Sequence, residues 1–364
     1  MSAKIPVGIL GATGMVGQMY VSLLADHPWF EAAYLAASPR SAGKPYREAV
    51  TGRWVCERGG KPAHWGNVGD VTVEDAGDVS RALGKCLFVF SALEMEKDRI
   101  RALEESYASQ GIPVVSNASA NRTAADIPML IAEVNHHHVE VIPVQKKNRG
   151  WDGFIVVKPN CSIQSYVTPF YALLEKGYEI KRALVTTMQA VSGAGYPGVP
   201  SLDMIDNLVP FIDGEEEKSE NEPLKILGSV GPGGIVNAET PLISAHCNRV
   251  AITSGHTACV SLEFGAKKPS IDEVKKIWRD FRALPQTAQF PSAPPFPVMV
   301  MEERDRPQPR KDRDAGNGMA VSVGRVRPCK LFDLRFTGLS HNTIRGAAGG
   351  GVLSAELLKH KGYF

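Results

Sequence analysis

The most constraining feature of the sequence lies ten residues in. Ile5 to Leu10 is a short apolar run, followed at a spacing of three by Gly11, Gly14 and Gly17, before Tyr20, Leu23 and Leu24 take up helical spacing. A strand that passes through a glycine turn straight into a helix begins a βαβ unit, which commits the chain to a parallel sheet with helices on its faces. Free N–H groups at such a helix start hold a pyrophosphate, and glycine lets the backbone come close to it. The spacing is G-x-x-G-x-x-G rather than G-x-G-x-x-G, so the flanking strand and helix are what mark a dinucleotide site. The second strand, Glu31 to Ala37, ends in Ser38, Pro39, Arg40 and Ser41. An acid there would bind a ribose 2′-hydroxyl. An arginine with two hydroxyls suits a 2′-phosphate, so NADP(H) is the expected cofactor.

The alternation continues. Cys86 to Phe90 is an apolar strand ending in Ser91, Ala92 and Leu93, Glu94 to Gln110 is a charged helix, and Ile112 to Val115 is the next strand. The expected class is α/β with a doubly wound parallel sheet. Residues 44 to 85 are expected to form an irregular insertion with short strands and a helix. Ligands bind at the carboxyl ends of the strands in such sheets, which directs Arg122 to the site.

A nucleophile is marked by Lys158, Pro159, Asn160, Cys161 and Ser162. Phe154 to Val157 is a buried strand ended by Pro159. Asn160 is a good N-cap for a helix with Ile163, Tyr166, Val167, Phe170 and Leu174 on one face. Cys161 is then expected at the first helical position, where the helix end favours thiolate over thiol. Pro169 is expected to kink that helix or end it early. The six cysteines are scattered without a C-x-x-C pair, as free thiols are.

Further on, Leu184 to Val191 alternates as a strand and Ser192 to Gly198 is a flexible loop. The acidic run Asp213 to Glu222 is expected to be a solvated helix face. Arg249 to Phe264 is expected to be one long strand. Arg249 and His256, seven apart, face one site only if Ser254 and Gly255 form a bulge or turn. Pro285 to Arg313 is a proline-rich excursion inside a domain. Four glycines between 346 and 351 weaken a closing helix, as the close approach of a backbone or cofactor requires. His136, His137 and His138 are expected in an exposed turn, because consecutive imidazoles do not converge on one tetrahedral ion. The spacing of His246, Cys247, His256 and Cys259 fits no common zinc module, so no metal is expected.

The glycine turn, Asn160 with Cys161, Gln189, Glu215 with Lys218, and Arg249 with His256 together resemble the aspartate-semialdehyde dehydrogenase family, in its archaeal and fungal branch. The likeness runs from Ile5 to the closing segment at Asn342. It implies a Rossmann-type nucleotide domain (1–158 and 342–364) and an α+β catalytic and dimerisation domain with a mixed sheet (159–341), assembled as a homodimer or dimer of dimers. It further implies NADPH-dependent reductive dephosphorylation of L-aspartyl 4-phosphate to the 4-semialdehyde, on the way to threonine, methionine, isoleucine and, in some lineages, lysine. The implied nucleophile is Cys161, passing through a thioester, with His256 as acid and base and Gln189 positioning the acyl group. For the substrate, Asn160 lies beside the nucleophile, Arg249 meets the α-carboxylate, Arg122 and Lys218 meet the phosphate, and Glu215 meets the ammonium, with Glu216, Glu217 and Glu222 as alternatives. The implied cofactor residues are Gly11, Thr13, Gly14, Met15, Val16, Ser38, Arg40, Ser41, Ser91, Ala92, Leu93 and Gly193, with Asn342 near the nicotinamide. A reductase of malonyl-CoA or of another acyl phosphate on the same fold is the alternative. A net charge of +2 with dispersed basic residues offers no nucleic-acid or membrane surface. With no apolar leader and no run of 18 apolar residues, a cytoplasmic location is expected.

Overall fold

The computed structural model describes residues 3–364. Six strands form a parallel sheet: β1 (Ile5–Leu10), β2 (Phe30–Ala37), β3 (Val73–Asp75), β4 (Phe88–Ser91), β5 (Val114–Ser116) and β6 (Ile155–Val157), in the order β3-β2-β1-β4-β5-β6. The direction of winding reverses between β1 and β4, and the crevice outside their carboxyl ends is where such a sheet binds ligands. The glycine turn lies there, leading into α1 (Met15–Leu24). Gly11 has φ +77°, and a Cβ on it would stand 2.4 Å from the carbonyl oxygen of Ala92 beyond β4.

The insertion between β2 and β4 buttresses this turn as well as supplying the edge strand β3. Tyr46 Oη donates to Ala12 O (2.9 Å). Gln18 Nε2 donates to Thr13 O (3.0 Å) and Arg53 O (2.8 Å), while its Oε1 accepts from Val55 N–H (2.9 Å).

A second, mixed sheet contains β7 (Ile180–Ala190), β8 (Leu242–Val250), β9 (His256–Phe264), β10 (Val298–Val300), β11 (Val321–Pro328) and β12 (Leu334–Ser340), in the order β8-β7-β9-β12-β11-β10. Its outermost pairs are parallel and the three inner pairs antiparallel. The single strand expected from Arg249 to Phe264 is two strands, separated by a turn in which Gly255 takes φ +104°. Arg249 near the end of β8 and His256 at the start of β9 thus flank the end of β7. The proline-rich excursion supplies the edge strand β10. One face of the sheet is covered by α2 (Val167–Glu175) and α4 (Ile271–Asp280), where buried Trp278 donates to Pro169 O (2.9 Å). On the other face the row His246, Thr186 and Cys259 is exposed. Between these elements runs α3 (Glu215–Ile226).

After β12 the chain makes a π-helical turn, Ile344–Ala348, and enters α5 (Gly349–His360), which returns to the first sheet against α1 and β5. Inside this junction Arg345 and Glu133 form a buried ion pair (3.0 Å). Arg345 also donates to Met319 O (2.6 Å) and Thr168 Oγ1 (2.9 Å).

The triple histidine is not in an exposed turn. It opens a 3-10 stretch, His136–Val141, and His138 is fully buried. Its Nδ1 accepts from Asn135 Nδ2 (3.0 Å) and its Nε2 donates to Gly228 O (3.1 Å), the pattern of a neutral ring. Among the described residues no cluster of His, Cys, Asp or Glu could hold a metal, and no helix is long and apolar enough to cross a membrane.

Burial holds His138 down to about 4. The unfolded chain therefore takes up this proton first, so the contribution is complete above the ordinary histidine value and is lost as pH falls towards 4. Urea unfolding should show His138→Gln losing about 2 kcal/mol less stability than the parent between pH 7 and 5. Equal losses would mean that the ring is charged in the fold.

Candidate active site

The turn that carries Cys161 comes directly after β6. The turn begins at Ser162, so Cys161 holds its cap position rather than the first helical one, and Asn160 precedes the cap, its Oδ1 accepting from Ser162 N–H (2.7 Å) and Ser162 Oγ (2.6 Å). The segment is a 3-10 turn, Ser162–Ser165, and α2 begins only at Val167. Pro169 therefore falls in the first turn of α2, where no N–H is needed, and the expected kink is absent. The expected preference for thiolate is not supported either. One short turn supplies little dipole, and burial, reinforced by Glu215, pushes the Cys161 thiol up to about 11.

Cys161 Sγ lies 3.3 Å from His256 Nε2. The other ring nitrogen, Nδ1, accepts from Ala190 N–H (3.0 Å), so the hydrogen of the neutral ring sits on Nε2, facing sulfur. Burial, with Arg249 nearby, holds His256 down to about 3. Arg249 pairs in register with Gln189 across β8 and β7 and donates to Ala190 O (2.8 Å). Gly193 makes room for this corner, since a Cβ on it would meet Arg249 NH1 at 2.7 Å and His256 Nε2 at 3.2 Å.

The acidic run is not a solvated face. Glu215, Ser219 and Glu222, at positions i, i+4 and i+7 of α3, are all buried on one side of the helix. Glu215 accepts from Asn160 Nδ2 (2.8 Å), Gln189 Nε2 (3.1 Å) and Lys218 Nζ (2.9 Å). Burial works against its charge, but Lys218 and these donors outweigh it and keep the carboxyl below the ordinary range. Glu222, which sequence reasoning named only as an alternative to Glu215 for the ammonium, has a different part here. It pairs with Arg122 (2.9 Å) and accepts from Asn160 N–H (2.6 Å), bracing both. The helical spacing of Glu215 and Glu222 was the available signal.

These groups border a cavity of about 410 Å³, with Arg122, Asn160, Cys161, Glu215 and Lys218 on one wall and Gly14, Met15, Val16, Ala92, Leu93, Gly193 and Asn342 on the other. Gln189, Arg249 and His256 lie behind Glu215 and Cys161. Asn342 is already engaged, accepting from Gly255 N–H (2.8 Å) and donating to Ser192 Oγ (2.8 Å). Thr13 and Ser91 are buried under the turn, and Ser38 and Arg40 are exposed at the end of β2 with Ser41 buried beside them. The cavity thus runs from the glycine turn to Cys161, with the end of β2 outside it. The first residues of α1 have no side-chain cap, and Gly14 leaves their N–H groups open to a phosphate.

Comparison with known proteins gives two matches along the chain. Residues 6–142 match the family model "Semialdehyde dehydrogenase, NAD binding domain", and residues 171–345 match "Semialdehyde dehydrogenase, dimerisation domain". The aspartate-semialdehyde dehydrogenase of Methanothermobacter thermautotrophicus is 48% identical, covering 97% of this chain and 98% of its own. That of Archaeoglobus fulgidus is 46% identical, covering 97% of each. The crystal structure of aspartate-semialdehyde dehydrogenase with NADP from Candida albicans superposes with a TM-score of 0.87 at 39% identity, over the whole of both chains.

The closing helix touches Cys161 through Gly346, where an added Cβ would lie 2.8 Å from Cys161 Cβ. Gly346→Ala should displace the thiol and lower kcat about 10²-fold, as ångström-scale misplacement does, while the circular dichroism of the fold is kept. A kcat within a few-fold of the parent would show that the contact is slack.

Proposed function

Because the chain belongs to the aspartate-semialdehyde dehydrogenase family, we propose a division of labour among its residues for that family's reaction. The reaction is the NADPH-dependent reductive dephosphorylation of L-aspartyl 4-phosphate to L-aspartate 4-semialdehyde in amino-acid biosynthesis. The observation that carries the reading is the 3.3 Å approach of Cys161 to His256 on the floor of a cavity walled by Arg122, Lys218 and Glu215.

The residues fit NADP(H). The open N–H groups at Met15 and Val16 with Gly11 and Gly14 would hold the pyrophosphate, Ser38, Arg40 and Ser41 the 2′-phosphate, and Gly193 and Asn342 would border the nicotinamide. When bound, it supplies the hydride.

Cys161 sulfur attacks the acyl carbon, the bond to the phosphate oxygen breaks, and the thiol proton leaves on the phosphate, giving a thioester and hydrogen phosphate. Arg122 and Lys218 would receive the phosphate oxygens, Arg249 would grip the α-carboxylate, and Glu215 would meet the ammonium. Gln189 and Asn160 hold Glu215 in place. After reduction the thiohemiacetal collapses to the aldehyde, and the released thiolate regains a proton from solvent. His256 serves both halves as an Nε2–H donor to sulfur, which favours the thiolate as it attacks and as it leaves. To act as acid and base instead, the ring would have to give up its bond to Ala190 N–H.

The second sheet belongs to a dimerisation domain. We assign its exposed face, around Thr186, His246 and Cys259, to contact with a second copy, and we divide the chain into 1–158 with 342–364 and 159–341 by sheet membership.

Two measurements test the scheme. Phosphate-dependent reduction of NADP with L-aspartate semialdehyde should exceed that with succinate semialdehyde by orders of magnitude in kcat/KM, and Glu215→Gln should erase much of the difference. A parental ratio near one would favour a substrate without an amino group. His256→Ala should cost about 10²- to 10³-fold, as loss of one preorganised donor does. His256→Gln, whose amide N–H reaches the Nε2 position, should recover most of that, and a glutamine variant as slow as the alanine one would show that the ring cycles a proton.

A further inference from the structure

Lys158 stands three residues before the nucleophile and has no part in the reaction scheme. Its side chain is only 2% exposed, and its ammonium reaches one acceptor, Pro159 O, at a long 3.4 Å. Among the described residues no carboxylate pairs with it. An unpaired ammonium withdrawn from water is costly, and a fold retains one only where something offsets the cost.

The closing helix shows where this charge lies. A Cβ added to Gly346 would meet Cys161 Cβ at 2.8 Å, and one added to Gly350 would meet Lys158 Cε at 2.4 Å. Those glycines are four residues apart on one helical face, so the two side chains they touch lie side by side, about one turn or roughly 6 Å apart along the axis. Beyond Lys158 is a void of about 10 Å³, enough for one water, lined also by Gln164, Glu133 and Arg345. Gln164 Nε2 and Arg345 Nε are buried there without partners, and Glu133 is committed to Arg345. The void therefore holds surplus donors and no free anion; Glu222 also faces Lys158 but is committed to Arg122, which leaves the Cys161 sulfur as the uncommitted group beside it that can become its counter-ion.

We propose that Lys158 is a positioning residue whose unpaired ammonium, held beside the nucleophile by the glycine face of the closing helix, makes the Cys161 thiolate attainable and a good leaving group. This rests on Cys161 being the nucleophile. Lys158 is faced by Cys161, Arg122, Arg345 and Glu222, and Cys161 by Lys158, His256, Glu215, Arg122 and Arg249. Burial holds Lys158 down to about 7, so its charge is present below neutral pH and is lost as pH rises past it.

The test is Lys158→Met, which keeps an unbranched side chain and removes the charge. Iodoacetamide alkylation of the Cys161 peptide is monitored by mass spectrometry across pH, beside the thermal midpoint and the steady-state constants. The expected result is alkylation at least about tenfold slower at pH 6, where the parent lysine carries its charge, a difference that shrinks as pH rises past 7, and a lower kcat with KM little changed. The thermal midpoint should be equal or higher, because a buried unpaired charge has gone. An unchanged alkylation profile, or a lowered thermal midpoint with normal alkylation, would make Lys158 merely structural and overturn the proposal. If the methionine variant does not fold, Lys158→Gln takes its place, and failure of both to fold would overturn it equally. The readout also separates the two readings. Full turnover by Cys161→Ser would remove the nucleophile assignment, whereas the alkylation profile reports on the influence of Lys158 on that thiol whatever the turnover.

Discussion

The closing helix can lie where it does only because its inner face has no side chains. Gly346, Gly350 and Gly351 press on Cys161, Lys158 and Tyr20, and a Cβ at any of the three would come within 3 Å of its neighbour. Glycine inside a helix costs about 1 kcal/mol relative to alanine, and here the cost is met by close packing and by the buried Arg345–Glu133 pair. Through that face one element touches the nucleophile turn, the lysine before it and the helix after the dinucleotide turn. The relative placement of the two sheets is set by this contact.

The site at rest is satisfied by itself. Glu215 takes the donors of Asn160, Gln189 and Lys218, and Glu222 takes Arg122. Burial leaves both Cys161 and His256 uncharged at neutral pH. A ligand with phosphate, carboxylate and ammonium would exchange these internal partners for its own.

The fold was legible where local chemistry and tertiary context agree. The glycine turn, the strands of the first sheet and the bonds from Ser162 to Asn160 depend on near neighbours in sequence, and Gly255 announced the turn that brings Arg249 and His256 together. The features that were not legible depend on partners far along the chain. The acidic run Asp213 to Glu222 has the composition of a solvated face, and only Asn160, Gln189 and Arg122, contributed by other elements, make burial of Glu215 and Glu222 tolerable. The thiolate expected of Cys161 was lost in the same way, because spacing shows a helix start but not how deeply the thiol is enclosed. His138 looked like a surface residue until Asn135 and the Gly228 carbonyl supplied both of its ring nitrogens with partners.

The discontinuity of the first layer bears on how the protein is made. The first sheet is complete once β6 has emerged from the ribosome, and the cysteine comes four residues later. The wall that frames this cysteine arrives only with Gly346, after the whole second sheet has been translated. During that interval the nascent chain carries its nucleophile without its enclosure, and the groove beside it has no roof. Domains fold as units during synthesis, yet here the unit that emerges first cannot close until the segment after residue 340 comes back to it. The wall around Cys161 is thus completed at a late stage of synthesis, because Gly346 follows the whole second sheet in the chain.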